Sequence, residues 1–416
     1  MIHKFLFVYI LSFIIAIGSV LASDWQNAHM LHMPRGGAAV VQWGHYLFTF
    51  GGKAKNNKAL KSVEKYDVLA DTWDKNTVPS FMHGRYNAGA IVYQDKIYLI
   101  GGRDESEALK EVEVYDPVQN SWSVAHDLHE EREGLAVHIL NGQLHAIGGR
   151  DEEYSMVSDI EWYDGIEDEW KKSSWEMDNP RAEFFSAVYQ NILYQFGGYY
   201  YGLTGKSYKA VPSQNGYTWQ NMHEMTTGRA YGTTLIRDDK IYLIGGETSG
   251  GKSARVEVYD ISHDTYGTET SLPTARSGMA GAVVGDTIFV IGGFEGNNDT
   301  PVAKVEFLVL DASPITEESN PVRPASHLLI RGYPNPFNGI ISLMVKIPRQ
   351  DEYRLDIFDI SGRLIKTLFK GNLNRGTRNF KWDARDNHLQ TVASGIYFLR
   401  IHSEKEIQKL KIIYVR

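Results

Sequence analysis

The 416-residue chain contains no cysteine. That excludes disulfide stapling, a thiolate metal site and a lipid-modified cysteine, so stability has to come from the packed core alone. Long apolar runs are scarce as well. The one such run, residues 5–20, follows a short basic start and leads into Val20-Leu21-Ala22, small residues ahead of Ser23. It is short for a spanning helix and its flanks suit cleavage, so residues 1–22 are expected to be a signal peptide. An uncleaved anchor is the alternative; after cleavage no membrane span is expected. Helical periodicity is missing from residues 25–311, which leaves strands to build that region. Positive charge is lacking there too: the formal net charge is −8, yet residues 325–416 hold 16 Lys and Arg against 8 Asp and Glu, leaving −16 on the first 324. An acidic body is a poor binder of nucleic acid, and none is expected as a partner. In the basic tail, cations alternate with acids along strands, which reads as a solvated face.

What the chain does have is a register. Gly51-Gly52, Gly101-Gly102, Gly148-Gly149, Gly197-Gly198, Gly245-Gly246 and Gly292-Gly293 recur every 47 to 50 residues, and each pair lies 16 residues after an arginine: Arg35, Arg85, Arg132, Arg181, Arg229 and Arg276. An offset without insertions implies two strands and a tight turn of fixed length in each of six units. The runs 38–41, 88–92, 135–140 and 281–284 are short and apolar, as expected for inner strands buried on both faces. In four units a later strand ends in Tyr-Asp, with an aromatic residue seven positions beyond the tyrosine: Tyr66 with Trp73, Tyr115 with Trp122, Tyr163 with Trp170, Tyr259 with Tyr266. The fourth unit has Pro212-Ser213 in place of Tyr-Asp, and the sixth has Leu308-Val309 with no tryptophan after it. Trp25 stands 10 residues before Arg35, as Trp122 does before Arg132, so the N-terminal segment is expected to supply the last unit's outer strand.

Arg, Gly-Gly, Tyr-Asp and Trp in that order resemble the kelch repeat. The resemblance implies an all-β chain with a six-bladed kelch β-propeller at residues 23–312, whose short edges are protected. A Pro-, Ser- and Glu-rich segment, 313–327, reads as a linker. Beyond it, the runs 341–347, 353–358, 364–369, 377–382, 395–401 and 407–414 read as strands of a small Ig-like β-sandwich at 328–416. Tyr333-Pro334-Asn335-Pro336-Phe337-Asn338, then Asp359-Ile360-Ser361-Gly362-Arg363, then Trp382-Asp383, then Gly395-Ile396-Tyr397-Phe398 resemble the type A C-terminal sorting domain of the bacterial type IX secretion system. This resemblance implies export through the periplasm, recognition by the secretion machinery, and release or surface attachment, commonly with loss of the tail.

Function is sought on the face where the loop after each Gly-Gly pair and the link into each blade emerge together. The repeated arginines are expected to be scaffold, hydrogen-bonded to backbone at blade junctions. The positions that differ between blades are the informative ones. They are Tyr86, Asn87, Glu133, Glu183, Phe184 and Tyr231 after the arginines, and Lys53, Arg103, Arg150, Tyr199, Glu247 and Phe294 after the glycines. Aromatic faces, carboxylates and guanidiniums in one mouth suit a glycan or a protein ligand, with Arg103 or Arg150 holding a carboxylate. No cofactor or metal is expected. The absence of cysteine excludes the cysteine–tyrosine copper site of galactose-oxidase-like propellers, and sialidase boxes are absent. A sugar mutarotase or epimerase, resembling the six-bladed kelch mutarotase of sialic acid, is the enzymatic alternative, with Glu133, Glu183 or Glu247 as proton acceptor. A purely structural or adhesive role is a further alternative. His126 and His129 read as a surface pair. The phosphate-loop match from Gly246 to Gly251-Lys252-Ser253 reads as coincidence, because a strand rather than a helix follows.

Overall fold

A computed structural model of the protein describes residues 24–310 and 329–415, apart from residues 69, 215, 286, 334–336, 360–361 and 404–406. The expected signal peptide and linker lie outside the described residues. No α-helix occurs among the described residues, which fall into two compact units.

The first unit is six four-stranded antiparallel sheets. Blade 2 is representative: Gly89–Tyr93, Lys96–Ile100, Val112–Asp116 and Ser121–Val124 pair in sequence order. In blade 6, Ala280–Val284, Thr287–Ile291 and Val305–Val309 receive Gln26–Asn27 as their fourth strand, in register Gln26↔Phe307. The two ends of the propeller therefore close the ring, as the position of Trp25 indicated. Outer-strand aromatics then tie neighbouring blades together. The indole of Trp73 donates to His29 O at 2.7 Å, Trp122 to Pro79 O at 2.8 Å, Trp219 to Glu176 O at 2.8 Å and Trp25 to Thr270 O at 2.8 Å.

Each repeated arginine is buried and does the same two jobs. Its Nη1 donates to the carbonyl of the first glycine 16 residues on, at 2.6–3.3 Å in all six blades. Its own carbonyl accepts from the second glycine of the preceding blade, and Gly293 N–H to Arg35 O at 2.8 Å completes the circle. A side chain at Gly51, where φ is +61°, would place Cβ 2.3 Å from Arg85 O, so only glycine admits this approach.

The guanidinium also has a partner that the sequence reading missed. A buried glutamate accepts from Nη2 in five blades: Arg35–Glu64, Arg85–Glu113, Arg132–Glu161, Arg229–Glu257 and Arg276–Glu306. The signal was a glutamate two residues before each Tyr-Asp tyrosine. Blade 4 lacks it. Tyr208 occupies that register position, and the Arg181 guanidinium lies 5.1 Å from its ring centroid.

The second unit is a two-sheet sandwich. Leu329–Tyr333, Ile341–Ile347 and Gly376–Trp382 form one sheet; Leu364–Leu373, Asp351–Asp359, Gly395–His402 and Ile407–Tyr414 form the other. Alternate residues of both sheets, among them Leu343, Val345, Leu355, Ile357, Leu399 and Ile401, share one core.

Candidate functional site

The mouth of the propeller is built from one short bridge per blade. The residue after each repeated arginine pairs with the residue after each Gly-Gly: Gly36↔Lys53, Tyr86↔Arg103, Glu133↔Arg150, Ala182↔Tyr199, Ala230↔Glu247 and Ser277↔Phe294. The next residue in each blade, Gly37, Asn87, Gly134, Glu183, Tyr231 or Gly278, has φ between 52° and 65°. These six residues form a closed circle of backbone hydrogen bonds, each N–H donating to the carbonyl of its counterpart in the preceding blade at 2.6–3.0 Å. Left-handed backbone is natural for the three glycines and tolerable for asparagine, but costs about 1 kcal/mol or more at a glutamate or a tyrosine. Glycine also makes room: Cβ atoms on Gly37 and Gly134 would meet Asn87 Oδ1 at 2.4 Å and Glu183 Oε1 at 2.7 Å.

A cavity of about 460 Å³ sits on this circle, and a smaller one of about 150 Å³ lies within the channel; Asn87, Tyr231 and Gly278 line both. Ten of the expected residues line the larger cavity: Lys53, Tyr86, Asn87, Arg103, Glu133, Arg150, Tyr199, Tyr231, Glu247 and Phe294. Glu183 and Phe184 line the smaller. Of the three consecutive tyrosines only Tyr199 reaches the mouth; Tyr200 and Tyr201 stay exposed, edge to face at 4.9 Å. Tyr154 was missed by the sequence reading. It belongs to a variable loop, and both arginines lie against its ring, Arg103 at 4.9 Å and Arg150 at 5.0 Å.

One carboxylate organises the polar half of the mouth. Buried Glu133 accepts from Arg103 Nη1 at 3.4 Å and Arg150 Nε at 3.1 Å through Oε1, and from Asn87 Nδ2 at 3.3 Å through Oε2. Two guanidiniums thus share a single negative charge, with Lys53 adding a third cation 5.4 Å from the Tyr86 ring. Tyr199, Tyr231, Leu203 and Phe294 add apolar surface to the same cavity. Glu183 is partly buried, its Oε1 enclosed and lacking any hydrogen-bond partner. Burial, with the nearby charge of Glu133 adding to it and Arg150 opposing it, pushes its carboxyl up to about 8. Burial and the neighbouring carboxylates also push the Tyr231 phenol up.

The remaining sequence signals resolve as structure. His129 Nδ1 lies 2.8 Å from Glu161, while the His126 N–H donates to Asp168. Glu247–Thr248 and Gly251–Lys252 pair as a hairpin, so no helix start faces the glycines of the phosphate-loop pattern. Among the described residues no group of three or more His, Cys, Asp or Glu is placed to hold a metal ion. In the tail, Phe337 and Tyr397 are core residues: Phe337 lies 5.5 Å from the Trp382 ring and 5.1 Å from that of Tyr414, and the Tyr397 hydroxyl donates to Ala393 O at 2.6 Å. Gly395 opens the strand that holds Tyr397, Tyr333 ends an edge strand and Asn338 is exposed; Pro334, Asn335 and Pro336 lie outside the described residues.

Comparison with known proteins agrees with this architecture. Residues 20–198 match the KLHDC2/KLHL20/DRC7 Kelch-repeats domain, and residues 331–415 match the secretion system C-terminal sorting domain. Kelch-like protein 25 of Xenopus tropicalis is 25% identical over 252 residues, 58% of this chain and 42% of its own length. Alpha-scruin of Limulus polyphemus is 25% identical over 274 residues, 60% of this chain and 29% of its own length. The chain thus spans less than half of either relative. The solved structure of YjhT superposes with a TM-score of 0.60 at 15% identity, covering 68% of this chain and 97% of that one, a likeness of fold alone. The class is a kelch-repeat β-propeller. More particularly, the chain is a kelch protein carrying a type IX secretion C-terminal sorting domain, which implies secretion or attachment at the cell surface.

Proposed function

We propose that this is an exported binding protein whose propeller mouth takes an extracellular glycan or protein ligand bearing an acidic group. The observation that carries the reading is the sharing of Glu133 between Arg103 and Arg150 inside an open cavity of about 460 Å³. An incoming carboxylate can compete with Glu133 for the guanidiniums, while Tyr199, Tyr231 and Phe294 offer flat faces to an apolar ligand surface. In this reading residues 1–22 direct the chain to the periplasm, 313–327 link the propeller to the tail, and the export machinery recognises 328–416. The test is binding of the full chain to arrays of glycans, including sialylated and uronic-acid sugars, and of acidic peptides. A selective hit that is lost in Arg103→Ala/Arg150→Ala/Glu133→Gln supports the reading. Glu133→Gln belongs in that variant because the arginines are the counter-ions of a buried carboxylate, and their loss alone would destabilise the fold. A hit that survives the triple change sinks the proposed site.

A second reading, a mutarotase or epimerase acting on an acidic sugar, draws on the Glu183 carboxyl alone. A group poised near neutrality beside a ligand cavity suits proton transfer. Anomer interconversion of sialic acid or glucuronate, measured with and without Glu183→Gln, separates the two readings.

A further inference from the structure

Glu183 is hard to account for as scaffold. Its ring position is glycine in three blades and asparagine in another, and it holds a left-handed backbone at φ 53°. The side chain lies over Gly134 and leaves Oε1 enclosed without a hydrogen-bond partner. The ionisable groups that face it are Glu133, Arg150 and Tyr231. Arg150 lies within electrostatic reach of two carboxyl groups. It is ion-paired to Glu133 at 3.1 Å, is hydrogen-bonded to Tyr231 and feels the charge of Glu183 from the channel side. Tyr231, whose side chain lines both cavities, is the wall between Glu183 and the mouth.

Resting on the binding reading above, we propose that Glu183 sets the charge of the mouth, so that the guanidinium pair holds an anionic ligand strongly when this carboxyl is protonated and weakly when it is ionised. With Glu183 neutral, Arg103 and Arg150 share one hydrogen-bonded carboxylate, Glu133, in a mouth that Lys53, Glu247 and Asp299 also line. Once Glu183 loses its proton, Arg150 is neutralised from below and a ligand carboxylate meets a further fixed negative charge. The linkage is reciprocal: a bound anion makes Glu183 harder to ionise, so binding near the midpoint takes up a proton from solvent to complete the carboxyl O–H bond. The midpoint of this coupling lies at about 8, above which affinity falls.

Calorimetric titration of the full chain with glucuronate between pH 6 and pH 10, in two buffers of different ionisation enthalpy, tests the proposal. Expected are proton uptake on binding near pH 8 and a loss of affinity of about tenfold across the range, one unit of midpoint shift being a tenfold change. Glu183→Gln should stay at the low-pH affinity throughout, with no proton uptake. Glucuronate binding that is flat with pH, or a pH dependence retained in Glu183→Gln, overturns the coupling while leaving the mouth as the binding site. Glucuronate binding at no pH overturns both for a carboxylate ligand. As a ligand-independent reading, the Glu183 carboxyl titration followed by carbon-13 resonance should move to lower pH in Glu133→Gln. A midpoint unmoved by that change overturns the electrostatic link.

Discussion

The repeated arginines and the two mouth arginines use one functional group in opposite ways. Arg35, Arg85, Arg132, Arg229 and Arg276 each hold one glutamate of their own, fully enclosed, and donate from Nη1 to the carbonyl of the first glycine. Arg103 and Arg150 divide one glutamate between them at longer distances, in a cavity open to solvent. A pair closed on itself has nothing left to offer a ligand, whereas an under-compensated pair does. Blade 4 shows that the closed pair is not obligatory, since Arg181 lies against Tyr208 and keeps its backbone bonds at 2.7 and 3.2 Å.

The comparison breaks most visibly at the closed pairs. Arg132→Ala leaves Glu161, buried in blade 3, without its guanidinium and with only His129 beside it, and is expected to cost about 3–5 kcal/mol in urea unfolding. A loss under ~1 kcal/mol would show that the belt is ornamental. Next in size is Glu183→Gln. A carboxyl raised to about 8 in the folded chain, against 4.5 unfolded, binds its proton more tightly when folded. Its contribution to stability is therefore complete below pH 4.5 and declines as pH rises towards 8, a decline absent from the glutamine variant. Thermal melts should show Glu183→Gln gaining on the parent between pH 5 and pH 8.5, by on the order of a few kcal/mol at the top of the range. The triple change Arg103→Ala/Arg150→Ala/Glu133→Gln should abolish acidic-ligand binding yet cost less in unfolding than Arg132→Ala, because no buried charge is left alone. Smallest is Tyr208→Glu, which would give Arg181 the carboxylate of the other blades. A new buried pair roughly offsets the lost tyrosine packing, so a change within about 1 kcal/mol is expected by the same unfolding measurement.

Much of this was readable from the chain, for a physical reason that differs by element. A propeller repeats one set of contacts around an axis, so Arg132, Gly148-Gly149 and Tyr163-Asp164 recur wherever those contacts recur. Closure through Trp25 followed from the same spacing. Glu161 and its counterparts do recur, two residues before each Tyr-Asp tyrosine, but a charged residue within an apolar strand shows its role only once its arginine is known to face it. Tyr154 escaped because the loop after Gly-Gly differs in sequence from blade to blade, and its value comes only from the two guanidiniums that meet over it.

Sequence by itself determined the repeat, the six blades, the closing strand, the sorting tail and the set of residues that vary at the mouth, since each of these follows from spacing along one chain. Tertiary structure alone decided which of those residues share a charge. Glu133 and Arg103 are 30 positions apart in sequence and come from different blades; only the closed circle of left-handed residues beneath them brings the two together and leaves Glu183 Oε1 enclosed. Spacing fixes what must repeat, whereas electrostatics depends on distances across the ring, which no single blade contains.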